Sequence, residues 1–156
     1  MLSLEIKKTV DDSELRDRLD KCFKRVWERI MLEAVVQIRN GIRETLERNA
    51  SGLTADADTI RKFPFLVDLK SFVDRYVSCI KIRVGNDNIA VAVDSDVAMS
   101  SGLPENIYDL LEYGSSEFPQ IPHMREALAS WESVDRKLLT ERFIQEVAID
   151  MNSGRA

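Results

Sequence analysis

The side chains able to do acid–base, nucleophilic or metal chemistry in this sequence are few and dispersed. His123 is the only histidine. A metal centre or a Ser–His pair would have to be built around it, and a lone histidine between Pro122 and Met124 at a helix start reads as structural or solvent-facing. Asp94 and Asp96 are two residues apart. On a continuing strand both carboxylates would face one way, a geometry that suits a divalent cation or acid–base work. The same pair also reads as a polar exit from a strand. Together with Glu112 they supply the one enzyme reading available, a carboxylate- or metal-dependent activity. Asp56 and Asp58 lie in a loop without the full calcium-loop pattern. Phosphate-binding glycine loops, H-E-x-x-H, G-x-S-x-G and C-x-x-C are all missing from the sequence. The expectation is therefore a protein that is not an enzyme and carries neither cofactor nor metal.

Composition narrows the classes further. The 156 residues are 44% hydrophobic and 31% charged, with a net charge of −5. That fits one globular domain, expected over 1–150 with a disordered tail at 151–156. Cys22 and Cys79 have no metal-like spacing and form no secreted disulfide framework. No apolar run approaches a membrane span, and MLSLEIKKTVDD has no signal-peptide core. Arg16, Arg18, Lys21, Lys24, Arg25 and Arg29 cluster on the first helix. Yet residues 1–50 hold 11 basic and 10 acidic side chains, so the local field largely cancels.

The elements that must position these groups follow from periodicity. Leu2, Leu4 and Ile6 alternate with polar residues, the pattern of a short half-buried strand. Asp11 and Glu14 have capping-box spacing. Leu15, Leu19, Cys22, Phe23, Val26, Trp27, Ile30, Met31, Ala34, Val35, Ile38, Ile42 and Leu46 then recur at threes and fours, the signature of an amphipathic helix ending near Asn49. Such a helix is roughly 50 Å long. Either it breaks near Asn40-Gly41, or part of its stripe meets another subunit, with Trp27 and Met31 as candidate interface anchors. Residues 50–63 read as loop. Pro64 opens either a second helical pattern through Val77 or an extended piece leading into a shorter helix. Ile80, Ile82 and Val84, then Ile89, Val91 and Val93, alternate around Gly85-Asn86-Asp87-Asn88 and predict a β-hairpin. Residues 94–103 are turn-like. A short helix follows, carrying Ile107, Leu110 and Leu111 and ended by Gly114 at positive φ. Pro122 opens the last helix, whose apolar register slips at Leu138-Leu139, the sign of a bend or of a second covered surface. The fold expected is α+β: a long N-terminal helix and a C-terminal helix packed on a small, mostly antiparallel sheet.

One segment carries more than periodicity. Tyr108–Ala127 reads YDLLEYGSSEFPQIPHMREA. Gly114 must stop a helix, two prolines restrict the path to the next one, and Glu112 is placed to accept from backbone N–H groups or an arginine. The segment reads as a stiff corner. It also resembles the signature of the tail-completion and neck (head–tail joining) proteins of HK97-like tailed bacteriophages, a family of minor tail proteins. Tyr108 matches the leading tyrosine. Leu111, Glu112, Tyr113, Gly114 and Ser115 match the L-E-[FY]-G-[TS] core, and Pro119 and Pro122 match the two prolines. His123 and Met124 stand where the family usually has Phe-Leu. Arg125 and Ala127 match, while Glu126 replaces a common proline.

The resemblance implies a virion structural protein of the neck or tail end, present in the host cytoplasm during assembly. It implies that the chain binds itself in a ring, possibly a hexamer, and that it binds the head connector or adaptor and the tail tube or tail terminator. Contact with DNA in the channel would be passive, and no membrane is involved. Positive and negative regions on one small chain also suit head-to-tail self-association. Two other classes stay open at this level. One is a cellular adaptor or nucleic-acid-binding regulator working through Arg18, Lys21, Arg25 and Arg29. The other is the small carboxylate enzyme.

Overall fold

A computed structural model describes residues 12–53, 56–85 and 88–154. The predicted strand at residues 2–7 and the Asp11 end of the capping box lie outside them. The fold is α+β, with a long N-terminal helix, a C-terminal helix and a small antiparallel sheet. The described residues gather into two compact units. One joins the chain up to Leu32 with the chain from Leu138 onward; the other is Glu33–Lys137.

Helix α1 (Asp12–Ala50) is unbroken. The break near Asn40-Gly41, one of the two alternatives, does not occur, because one helical glycine costs only about 1 kcal/mol and the turns on either side are buried. Its buried apolar positions are Cys22, Val26, Ile30, Ala34, Ile38, Ile42, Leu46 and Ala50. They step by four, so the buried line drifts about 40° per step around the helix. The broad stripe expected to outrun the chain's own cover is mostly covered within it. Leu19, Trp27, Met31 and Val35 are half-buried, and only Leu15 and Phe23 of the predicted stripe are exposed.

In the first unit α1 packs on α7 (Arg136–Asn152). Phe23 stacks on Phe143 at 5.9 Å between ring centres, and Trp27 meets the same ring edge-on at 5.8 Å. Arg25 pairs with Asp150, and Arg29 pairs with Glu146. Arg25 and Arg29, two of the four basic residues of the adaptor or nucleic-acid alternative, are thus engaged with α7. Helix α7 continues through Met151 and Asn152, so the disordered tail expected at 151–156 does not begin there. Ser153 N–H still donates to Ile149 O at 3.0 Å.

The second unit holds the remaining elements. The loop expected over 50–63 contains α2 (Ala57–Lys62), capped by Asp56. The proline segment is a 3-10 turn (Pro64–Val67), and Asp68 caps the separate helix α3 (Leu69–Ser78). The hairpin forms as predicted: β1 (Ile80–Val84) pairs with β2 (Ile89–Val93), with Ile82 opposite Val91. Helix α4 (Ser95–Ser100) replaces the turn-like reading of 94–103. It is followed by α5 (Ile107–Tyr113) and α6 (Met124–Ser130). A π-helical turn (Trp131–Asp135) joins α6 to α7. That wide turn adds a residue to the helical count. It accounts for the register slip: Trp131 and Leu139 are buried, while Val134 and Leu138 are 56% and 58% exposed.

The buried line on α1 makes a direct stability prediction. Ile42→Ala removes a fully buried side chain and is expected to cost about 2–5 kcal/mol. Leu32→Ala, at a position 70% exposed, is expected to stay within about 0.5 kcal/mol. Urea unfolding of both variants against wild type measures the contrast.

Candidate functional site: a buried carboxylate at the α5–α6 corner

The motif residues converge on Glu112. It sits in the last turn of α5 among Ile107, Leu110 and Leu111, all buried. Its own side chain is fully buried. A buried carboxylate is tolerated only when its oxygens are paired and hydrogen-bonded. Here Oε2 accepts from His123 N–H and Met124 N–H, both at 3.1 Å. Oε1 accepts from Arg125 Nε at 3.0 Å and from Arg125 N–H at 3.4 Å. The N–H groups at a helix start lack intrahelical partners, so Glu112 acts as a cap for α6 supplied from the preceding helix. Burial alone would raise its pKa. The Arg125 guanidinium and the His123 and Met124 amides outweigh that and hold the carboxyl below its ordinary range.

The chain between the helices is locked at several points. Gly114 has φ +72°, and a Cβ there would lie 2.9 Å from Gln120 N and 3.0 Å from Phe118 O. Only glycine meets both demands. Ser115 N–H donates to Phe118 O at 2.8 Å, and its hydroxyl accepts from Phe118 N–H at 3.0 Å. Ile121 N–H donates to Leu111 O at 2.7 Å, and Gln120 Nε2 donates to Glu112 O at 2.8 Å. The Pro122 carbonyl accepts from Asn49 of α1. Met124 is buried and Pro119 is exposed.

His123 is sealed in the same corner. Its Nδ1–H donates to Ile121 O at 2.9 Å and lies 3.2 Å from Glu112 Oε2. That tautomer leaves Nε2 as the acceptor for the Tyr76 hydroxyl at 2.6 Å. Burial lowers the His123 pKa; the Ile121 carbonyl and the Glu112 charge only partly offset this. The imidazole is therefore neutral at pH 7. Burial, followed by the Glu112 charge, pushes the Tyr76 phenol above its ordinary range. A Tyr–His–Glu chain has the donor order of a proton relay, but all three side chains are fully buried. It joins α3, α5 and α6.

No protein-family model, curated protein or solved structure matches the chain.

The structure brings together Tyr108, Leu111, Glu112, Tyr113, Gly114, Ser115, Met124 and Arg125. Tyr113 is 55% exposed and carries the Arg125 guanidinium over its ring at 5.0 Å. Tyr108 meets Tyr113 edge-on at 6.2 Å. Trp27 and Met31 are half-buried on α1. The carboxylate pair of the enzyme reading is not formed as a site. The strand ends at Val93, and Asp94 accepts from Asp96 N–H at 3.0 Å and Val97 N–H at 3.2 Å as the cap of α4. It also pairs with Lys81. Among the described residues no group of three or more His, Cys, Asp or Glu side chains has the geometry to hold a metal. No described helix is long and apolar enough to cross a membrane. Tyr76 and Gln120 join the corner without a signal in the sequence. Tyr76 sits on the apolar stripe of α3, with no local sign that its hydroxyl bonds a residue 47 positions later.

Two outcomes test the corner. Glu112→Ala leaves three backbone donors and Arg125 without their acceptor, and a loss of about 3–5 kcal/mol is expected by urea unfolding. The pH dependence follows from signs. His123 has a folded pKa below the ordinary 6.5, so its contribution is full above that value and is lost as pH falls towards the folded pKa. Glu112, held below 4.5, keeps its contribution above that value and loses it at lower pH. Stability should fall in two stages on acidification, and His123→Gln should remove the first. Thermal melts across this range measure both.

Proposed function

We propose that the chain is a structural subunit of a bacteriophage neck or tail end, joining the head connector to the tail by assembling into a homo-oligomeric ring. The observation that supports this reading is the locked corner. Leu111, Glu112, Gly114, Ser115 and Arg125, residues that carry the resemblance to head–tail joining proteins, are tied into one hydrogen-bonded turn. Its ionisable centre is sealed from solvent. A ring repeats one contact between identical copies, so a small error in the angle between elements accumulates around it. A corner fixed by a buried, multiply bonded carboxylate suits that demand. Binding alone is the mechanism. The partners are further copies of the chain, the head connector or adaptor, and the tail tube or tail terminator, with a virion location.

The other two classes have less support. Arg25 and Arg29 of the adaptor or nucleic-acid reading already hold acidic side chains of α7. Asp94 and Glu112 of the enzyme reading are engaged as helix caps.

Electron microscopy of phage particles from a lysate of the encoding genome, with and without this gene, tests the reading. The expected result is a ring of this chain at the neck or tail end, and filled heads separated from tails when the gene is removed. Normal joined particles without the protein would overturn it.

A further inference from the structure

The second unit carries two exposed faces of opposite character. On the hairpin, Lys81 and Arg83 of β1 share the outward face with Ala92 and Ala90, their direct partners on β2. All four are exposed. Lys81 pairs with Asp94, while among the described residues Arg83 meets no carboxylate. On α5, Asp109 and Tyr113 lie one turn apart, and both are exposed. Asp109 meets no cation among the described residues. The opposite face of the hairpin is also thinly covered: Ile80 is buried, but Ile82, Val84, Ile89, Val91 and Val93 are only half-buried. A two-stranded sheet of this kind is marginal by itself and gains from a further layer or partner.

We infer that the hairpin face Lys81–Arg83–Ala90–Ala92 of one copy docks on the Asp109–Tyr113 face of α5 in a second copy. The two rows match in pitch. Successive outward residues of a strand are about 6.8 Å apart, and residues four apart on a helix rise about 6 Å. Arg83 therefore meets Asp109 when the Tyr113 ring lies over Ala92, whose small side chain lets the ring approach the sheet. Arg125, stacked on Tyr113 and held by Glu112, keeps the ring from swinging. The two surfaces differ, so the contact is head-to-tail and extends to a ring where the rotation closes. This inference rests on the proposed ring assembly and names the surfaces that carry it.

The test uses the full chain and two charge reversals, Arg83→Glu and Asp109→Arg. Sedimentation equilibrium over a concentration series, at low salt and at 0.5 M salt, gives the association constant; circular dichroism verifies folding. Wild type should associate, and more weakly at high salt because exposed charges are screened. Each single variant should associate at least about tenfold more weakly. An equal mixture of the two variants should recover the wild-type value. The carboxylate introduced on the hairpin of one variant then faces the guanidinium introduced on α5 of the other, and the native pair forms at the alternate contact. Singles that associate like wild type, or a mixture that fails to recover, would overturn these surfaces while leaving the ring reading to particle imaging. A wild type that stays monomeric throughout the series at low salt would overturn them as well.

Discussion

The second unit depends on one carboxylate held out of water. Glu112 leaves the last turn of α5, and its two oxygens collect the free N–H groups at the start of α6 together with the Arg125 side chain. An unpaired buried carboxylate is among the most costly groups a fold can hold. The surrounding geometry is therefore constrained to satisfy it. Gly114 turns the chain at positive φ, Gln120 and Ile121 return to the backbone of α5, and His123 closes the gap to Tyr76 of α3. Three helices meet at a fixed angle because this one charge admits few alternatives.

The same arrangement limits the chemistry of the corner. Tyr76, His123 and Glu112 are the groups whose order invites a catalytic interpretation, and all three are sealed. Their protonation is set by neighbours in the fold: a neutral imidazole, an ionised carboxylate and a phenol far from ionising. What this corner offers to the outside is shape and charge, namely the stacked Tyr113–Arg125 pair and the acidic edge of α5 beside it.

Much of this is legible in the sequence because it rests on local rules. The hairpin follows from strict alternation around a turn, α5 and its end from Gly114, and the role of Glu112 from its place one short loop before a helix start. The slip at Leu138-Leu139 marks the π-helical turn a few residues upstream. Other features require tertiary information. The stripe on α1 reads as a broad face, whereas the buried line steps by four and winds around the helix. Asp94 and Asp96 have the spacing of a pair facing one way, but Asp94 is a cap whose carboxylate turns back to the backbone. Asp56 and Asp68 start helices that residue composition alone leaves as loop or as a single longer helix. The Tyr76–His123 bond spans 47 positions, and nothing in either local sequence marks it.

Amide hydrogen exchange at His123, Met124 and Arg125 tests the central claim most directly. If Glu112 holds the corner, these amides, which sit outside ordinary intrahelical bonding, exchange as slowly as those of the buried turns of α1. In Glu112→Ala they become fast, while residues 38–46 stay protected under conditions where the variant is folded. Rapid exchange at these three amides in the wild type, or protection unchanged in the variant, would contradict the account.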